Sequence, residues 1–454
     1  MSARRLAPLL VAVATFAIAV AGAPSDSDMY WHLASGRWMV DHREILRSDV
    51  FSSTVTGQPY SVGEWLGEIV LYLAYAWGGW IGIVLLRGVL VAIGAFFLTR
   101  AALRSGAPVL VALPLVILAL VLSTIVWTDR PHLFTLALFP LMLDLLIAAR
   151  AGAVRRLWLV PPVLLVWTDL HGGYALGLAL VALFAIDAVA RRRQPLPFVI
   201  AASLGGVATL LDPASIGLGA AAAHAAAPPR FIVEESPPDV LTPAGALFAL
   251  FILGTLSVAL RAGGELIDAV VIVPLLYLGL SAQRDMPYFA FAVVPYLAAR
   301  TPIALPLLTA WAERIKQPRA ALPGVAVGVA AMAIVALAGL PAAPDETAYP
   351  TGALAPLRQR TGAVLNEYDW GGYLIWRAPD QPVFIDGRLT PYLPQVLADW
   401  NTAIRLGPGW RDVLERYHVN TVLLRPDRPL VGALREDGWR ATEGEKNWVL
   451  LSRP

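Results

Sequence analysis

Residues 24–38 read PSDSDMYWHLASGRW, and they begin where a run of nineteen uncharged residues, Leu6 to Pro24, ends. As a helix rising about 1.5 Å per residue, that run would reach roughly 28 Å, close to the hydrocarbon thickness of a bilayer. A chain leaving such a run meets water first at Asp26, Asp28 and His32. The passage therefore divides a membrane-crossing helix from an outer segment that carries titratable groups. The run follows Arg4 and Arg5 and closes in AVAGAP, a small-residue pattern like that of a secretory cleavage site. Its length, and Pro24 just past the would-be cut, favour an uncleaved first span over a removed signal.

Composition extends this reading to the whole chain. Of 454 residues, 57% are hydrophobic and 15% charged, and mean hydropathy is +0.63. That is more apolar side chain than a globule of this size can hide, so the chain reads as multi-spanning. A formal net charge of +2, with no basic run interleaved with aromatics, excludes nucleic acid as a partner. The absence of cysteine removes disulfides, thiolate metal sites and cysteine nucleophiles. No GxGxxG follows a strand and no Walker pattern occurs, so soluble nucleotide binding has no support. Six histidines without HExxH or close HxH spacing argue against a site dedicated to metal.

Further apolar stretches run from Trp80 to Thr99, Val109 to Trp127, Pro131 to Ala149, Trp158 to Leu170, Tyr174 to Ala190, Phe198 to Leu211, Ala244 to Leu260, Ile267 to Ser281, Tyr288 to Leu308 and Leu322 to Leu340. With the first they make eleven, which predicts an all-α polytopic membrane domain of about 11 spans over residues 1–341. Arginine and lysine gather in alternate connections: Arg4 and Arg5; Arg100 and Arg104; Arg150, Arg155 and Arg156; Arg191 to Arg193; Arg261; Arg314, Lys316 and Arg319. By the positive-inside rule these are cytoplasmic, as is the N-terminus of a multi-pass inner or plasma membrane protein. The opposite, extracytoplasmic side then receives residues 24–38, TDRPH, TDLHGG, PPRFIVEESPPD, AQRDMPYF and the C-terminal segment. The stretch Trp158 to Leu170 is short for a crossing. It is expected to pair with the next as two short helices opening onto a water-filled cavity. The low-complexity GAAAAHAAAPP at 219–229 reads as part of an outer loop.

The first outer loop, 25–63, is too long to be structureless and should fold. DSDMYWHLASGRWMVDH suits a helix capped near Ser25 or Asp26, with Asp28 and His32 four apart and Met29, Trp31, Leu33 and Trp38 dipping into the membrane interface. SVGEWLGEIVLYLAYAWGG suits a second, with Glu64 and Glu68 again four apart. Past the Pro-rich LPAAPDETAYP, residues 342–454 read as a small extracytoplasmic α/β domain. Its strand candidates are PVFIDGR, NTVLLRP and NWVLLSR, and its helix candidates are LPQVLADWNTAI, GWRDVLERYH and PLVGALREDG. Trp370, Tyr373 and Trp376 read as that domain's own core or its seat on the membrane.

Two aspartates at an outer membrane boundary can take a proton from a hydroxyl or share a divalent cation (Mg or Mn) with a phosphate. Asp26 and Asp28 are the candidates, with His32 and Glu235 as further catalytic groups and Asp28 and Glu235 as metal ligands. Arginine forks suit a phosphate leaving group because they grip its oxygens and keep their charge, which selects Arg130 and Arg284. Arg87 lies inside an apolar run, about 10 Å beyond Trp80, where a charge costs roughly 2.5–3.5 kcal/mol and calls for an internal partner or a lipid phosphate. His132, Asp169, His171 and Glu64 are the expected pocket residues.

Many spans, a folded first outer loop with paired acids and an outer C-terminal domain together resemble the GT-C membrane glycosyltransferases, which include protein O-mannosyltransferases and the catalytic subunit of oligosaccharyltransferase. The resemblance implies a polyprenyl-phosphate-linked sugar as donor, an extracytoplasmic acceptor, and a first-loop acid, here Asp26 or Asp28, as base or metal ligand. Glu234 and Glu235 are similar to a later acidic outer loop of that superfamily. NEYDWGGYLIW followed by FIDGR is similar to the motif opening the oligosaccharyltransferase soluble domain. DSDMYWHL, GEWLGE, RPHLF, DLHGGY, RDMPYF, DWGGYLIW and FIDGR together look like a bacterial multi-spanning glycosyltransferase-like family. The function so implied is glycosyl transfer from a membrane lipid carrier. A lipid-carrier transporter or flippase and a non-catalytic membrane scaffold are the alternatives.

Overall fold

The computed structural model describes residues 3–60, 62–213, 233–314, 321–341, 343–360 and 362–454, so the low-complexity segment at 219–229 lies outside the described residues. In chain order the first helices are α1 (Ala3–Val20), α2 (Met29–His42), α3 (Trp65–Arg104), α4 (Val109–Ser123), α5 (His132–Arg150), α6 (Val160–Leu170), α7 (Tyr174–Ala190) and α8 (Pro195–Thr209). They continue with α9 (Pro243–Ala262), α10 (Leu266–Ser281), α11 (Met286–Ala304), α12 (Pro306–Arg314) and α13 (Ala321–Ala338). The predicted apolar stretches thus fold as helices. Among the described residues, five helical segments are long and apolar enough to cross a membrane: Ala3–Val20, Trp65–Arg104, Val109–Val126, His132–Arg150 and Pro243–Ala262. Shorter apolar helices are Tyr174–Ala190, Pro195–Thr209, Leu266–Ser281 and Pro323–Ala338. With 11 residues, α6 is only about 16 Å long, as its sequence predicts.

The chain divides into two compact units, one of Met1–Gly22 with Val84–Pro341 and one of Ala23–Ile83 with Ala342–Pro454. The chain passes between them at 22/23, 83/84 and 341/342, so residues 25–63 group with the C-terminal segment. Helix α3 is kinked at Gly79, whose backbone is non-helical (φ 58°, ψ −144°), a conformation that favours glycine.

In the helical unit, α11 is buried on every face and packs against α4, α9 and α10. A helix that is apolar all round belongs at the centre, and Phe289, Ala290, Val293 and Val294 are fully enclosed. Outward-facing Leu250, Leu253, Leu256 and Leu260 on α9 are exposed, as a lipid-facing stripe would be. Arg87 is buried, and its internal partner is present. Nη1 donates to Asp129 Oδ2 at 2.8 Å, Nε to the Ala19 carbonyl at 3.0 Å, and Nη2 to the Gly22 carbonyl. Arg87 thus has an internal partner, one of the two fates that its depth implies. The guanidinium ties α1, α3 and the start of α5 together.

In the other unit a four-stranded sheet runs β1 (Ala363–Asn366), β2 (Val419–Leu424), β4 (Val449–Ser452), β3 (Arg440–Gly444). β1 is parallel to β2, while β4 is antiparallel to both its neighbours, with Val422 opposite Leu451. Around it lie α14 (Gly371–Arg377), α15 (Gln395–Ile404), α16 (Trp410–Arg416) and α17 (Pro429–Glu436). Two of the expected strands and all three expected helices form. PVFIDGR does not form a regular strand. It makes single bridges at Val383 to Ser52 and Val364, then turns so that Asp386 and Arg388 enter a buried ion network. Residues 25–63 join here, since Val383 N–H donates to the Phe51 carbonyl and Ser53 N–H to that of Val383. Helix α2 packs against α14, and Met29, Trp31 and Leu33 are buried. These residues therefore fill this unit's core instead of dipping into the membrane. Trp370, Tyr373 and Trp376 are core residues, as expected.

Replacing Arg87 by Met should cost about 3–5 kcal/mol, because it leaves the buried Asp129 carboxylate without its guanidinium. The loss is read as a lower thermal midpoint of the solubilised protein, and adding Asp129→Asn should recover a large part of it. An unchanged midpoint for Arg87→Met would show that the pair does not hold the unit.

Candidate functional site

Each unit gathers its own set of the predicted site residues. In the helical unit, Arg130 precedes α5, and its Nη1 and Nη2 donate to Glu234 Oε1 (3.1 Å) and Oε2 (2.6 Å), a two-pronged pair. Arg284, just before α11, forms an ion pair with the buried Glu235. Arg130 holds the Glu234 carboxyl below its usual range, outweighing a burial that by itself acts the other way. Glu234 and Glu235 thus anchor the two arginines expected to grip phosphate. A guanidinium has five N–H donors and a two-pronged pair consumes two of them.

His171 sits between α6 and α7. Its Nδ1 accepts from Gly173 N–H at 3.0 Å and from the Thr135 hydroxyl at 2.8 Å, while Thr135 Oγ1 accepts from Trp167 Nε1–H at 2.9 Å. With two donors aimed at Nδ1, the neutral ring carries its proton on Nε2. Burial first, then the positive charges of His132, Arg284 and Arg130, hold the imidazole well below its ordinary pKa. His132 binds the Val126 carbonyl through Nε2, its ring 6.3 Å from that of His171. Asp169 occupies the last turn of α6.

These groups share one end of the helical unit. Helix α5 starts beside Arg130 and ends, about 28 Å further on, at Arg150. There Arg150 and Arg191 both engage Asp187 and Glu265, and Arg300 reaches Glu265 at 3.4 Å. Nearby Asp144, fully buried, receives Arg104 at 2.6 Å and Arg100 at 3.3 Å. The arginine-rich connections and the histidine-bearing clusters therefore segregate to opposite ends of this unit.

In the other unit Asp26 and Asp28 are half-buried before α2. Asp26 Oδ1 accepts from Asp28 N–H at 2.9 Å, so Asp26 shapes the entry to a helix that starts at Met29, three residues beyond the expected cap. The Asp28 carboxylate lies over Gly387 so closely that a Cβ there would come within 2.1 Å of Oδ1, and a Cβ on Gly371 would meet the Ile385 carbonyl at 2.2 Å. The glycines of DWGGY and FIDGR are thus required by close approach. Gly36 does the same for the α2–α3 crossing, where a Cβ would fall 2.2 Å from the Glu68 carbonyl oxygen. One turn earlier, this crossing brings His32 Nδ1 to 3.0 Å from Glu68 Oε1. His32, Glu64 and Glu68 then have donor atoms within 4.8 Å of one another. Of the expected metal ligands, Asp28 lies in this unit and Glu235 in the helical one; among the described residues His32, Glu64 and Glu68 form a converging donor set.

Behind Asp28, Arg388 is fully buried. It donates to Asp386 Oδ1 (Nε, 2.8 Å) and Oδ2 (Nη2, 2.7 Å), pairs with Asp49 at 2.7 Å, and is walled by the rings of Phe51, Tyr60 and Tyr392. Burial would lower the pKa of Arg388, but Asp386, Tyr392 and Asp49 more than offset it and keep it charged. Sequence reading also missed a cavity of about 550 Å³ lined by Arg37, Tyr75, Glu346, Tyr373, Trp376 and Arg377. There Arg37 stacks 4.5 Å over Trp376, and burial with Glu346 pushes the Tyr373 hydroxyl up to about 12. Its arginines lie far apart in sequence, so no local signal marks it.

No protein-family model matches this chain, and neither does any curated protein. Solved structures do. The Archaeoglobus fulgidus oligosaccharyltransferase in its apo form aligns with TM-score 0.55 at 12% identity, over 92% of this chain and 69% of its own. ArnT from Cupriavidus metallidurans, bound to undecaprenyl phosphate, aligns with TM-score 0.52 at 16% identity, over 99% and 98% of the two chains. This chain therefore shares its fold with these two structures.

A histidine depressed in the fold makes stability rise with pH, because below about 6.5 the unfolded chain takes up a proton that the native ring refuses. Stability is therefore full above that value and falls as the medium is acidified. His171→Gln should flatten the decline of the thermal midpoint between about pH 7 and 5. An equally steep acid limb in the variant would show that His171 is not its source. Gly387→Ala should cost about 1–3 kcal/mol by pushing Asp28 and Trp31 aside, again measured as a midpoint shift.

Proposed function

We propose that this protein is an integral membrane glycosyltransferase that moves a sugar from a polyprenyl-phosphate-type lipid to an extracytoplasmic acceptor. What carries the reading is the fold shared along nearly the whole chain with ArnT, a protein solved with undecaprenyl phosphate. The segregation of charge within the helical unit supports it. In this proposal the arginine-rich end of α5 is cytoplasmic and the end bearing Arg130, His171 and Arg284 is extracytoplasmic, with the apolar stretches making eleven crossings.

In the reaction so proposed, the acceptor oxygen forms a bond to the anomeric carbon as the bond from that carbon to the lipid phosphate oxygen breaks. The acceptor's proton passes to a carboxylate, for which Asp28 is the candidate. The phosphate leaves with its negative charge, which Arg130 and Arg284 would hold, and the Nε2–H of neutral His171 adds a donor that does not depend on pH near neutrality. Asp26 orients the Asp28 turn. His132, whose ring lies 6.3 Å from that of His171, and Asp169 are assigned to the pocket in this proposal.

The test is transfer by the purified protein from a panel of polyprenyl-phosphate sugars, with mass spectrometry of the products. Asp28→Asn should lower turnover about 10²–10⁴-fold without unfolding the protein. Arg284→Lys should weaken donor use, since a point charge replaces a planar fork. Full transfer by Asp28→Asn would remove Asp28 from the mechanism, and labelled lipid moved with no change of mass would make the protein a carrier transporter instead.

A further inference from the structure

We infer that His32, Glu64 and Glu68 bind one divalent transition-metal ion. The cluster was assembled from two helices, so it has none of the short-range spacing by which metal sites are read from sequence. His32 comes from α2 and is 3% exposed, Glu68 from the first turn of α3 and is fully enclosed, and Glu64 lies one turn before Glu68. Their donor atoms lie within 4.8 Å of one another, and His32 Nδ1 is 3.0 Å from Glu68 Oε1. Two ligands each about 2.0–2.1 Å from an ion and 3.0 Å apart subtend roughly 95° at it, so this pair could serve one ion without moving.

A second observation points into the same place. Glu68 Oε2 is buried and accepts no hydrogen bond among the described residues. A carboxylate oxygen in that condition carries its full desolvation cost. The buried guanidinium acting on Glu68 is Arg388, whose charge is already shared between Asp386 and Asp49. A cation between Glu68, Glu64 and His32 supplies the missing partner. One imidazole with two carboxylates suits zinc or manganese and disfavours magnesium, which takes oxygen ligands and keeps its water. Asp28 lies one turn before His32, so an ion here would fix the segment that carries Asp28.

The experiment uses the full chain in detergent, stripped with a chelator and titrated with Zn²⁺ or Mn²⁺ in the absence of any sugar donor. One equivalent should remain after gel filtration, with a higher thermal midpoint, and bound Mn²⁺ should show a nitrogen coupling by pulsed electron paramagnetic resonance. His32→Gln should abolish that coupling, and Glu64→Gln, at a half-buried turn position, should weaken binding about tenfold or more. Less than about a tenth of an equivalent bound by the unmodified protein, with no midpoint shift, would overturn the inference and leave a proton-bridged His32–Glu68 pair. A nitrogen coupling that survives His32→Gln would also overturn it, by locating the ion elsewhere. Binding is measured without donor, so its failure leaves the transferase proposal intact, and metal-loaded protein without transfer leaves the metal site intact.

Discussion

The burial of Arg388 is the constraint from which the sheet-bearing unit follows. A guanidinium keeps its proton under any physiological condition, so enclosing one requires carboxylates placed around it. Asp386 and Tyr392 come from the C-terminal segment, but Asp49 comes from the stretch 25–63, as do the Phe51 and Tyr60 rings that wall the cation. Two segments far apart in sequence must therefore fold as one body. Once joined, they bring α2 against α14, set Asp28 over Gly387, and turn His32 toward Glu68.

The helical unit obeys a different economy. Its middle is apolar, and its charges collect at two ends of the same helices, each paired before it is enclosed. Arg87 is the deepest, and the cost of that depth is offset by Asp129 together with two carbonyls at the end of α1. At one end acids and arginines interlock densely, as structural pairs do. At the other, Arg130 pairs with Glu234 and Arg284 with Glu235, beside a histidine whose tautomer is set by Gly173 and Thr135. Fixed donors with a retained charge are what an anionic group requires.

Much of this was legible in the residues themselves. Apolar length marked the helices, Trp370, Tyr373 and Trp376 fell in the core, and the strands at Val419–Leu424 and Val449–Ser452 declared themselves by β-branched and leucine runs. Less was legible where a side chain's partner decides the backbone. PVFIDGR has the composition of a strand, yet the demand of Asp386 and Arg388 for each other bends it into a turn. The β3 strand escaped notice because RATEG is a polar edge. Trp31 and Leu33 looked fit for the membrane interface because aromatic and aliphatic side chains suit either an interface or a core, and only packing chooses.

The sequence by itself determined the class of the molecule: a chain this apolar must be helical in lipid, since a helix satisfies its own backbone, and alternate basic connections divide its loops into two sets. It also singled out the acids, arginines and histidines of the candidate site. Tertiary structure decided their company. Glu234 and Glu235 anchor Arg130 and Arg284, Asp129 claims Arg87, and the absence of a side chain at Gly36 lets two helices cross closely enough to join His32 to Glu68. Such pairings depend on distances of a few ångströms between segments remote in sequence, which hydrophobic periodicity and local spacing do not encode.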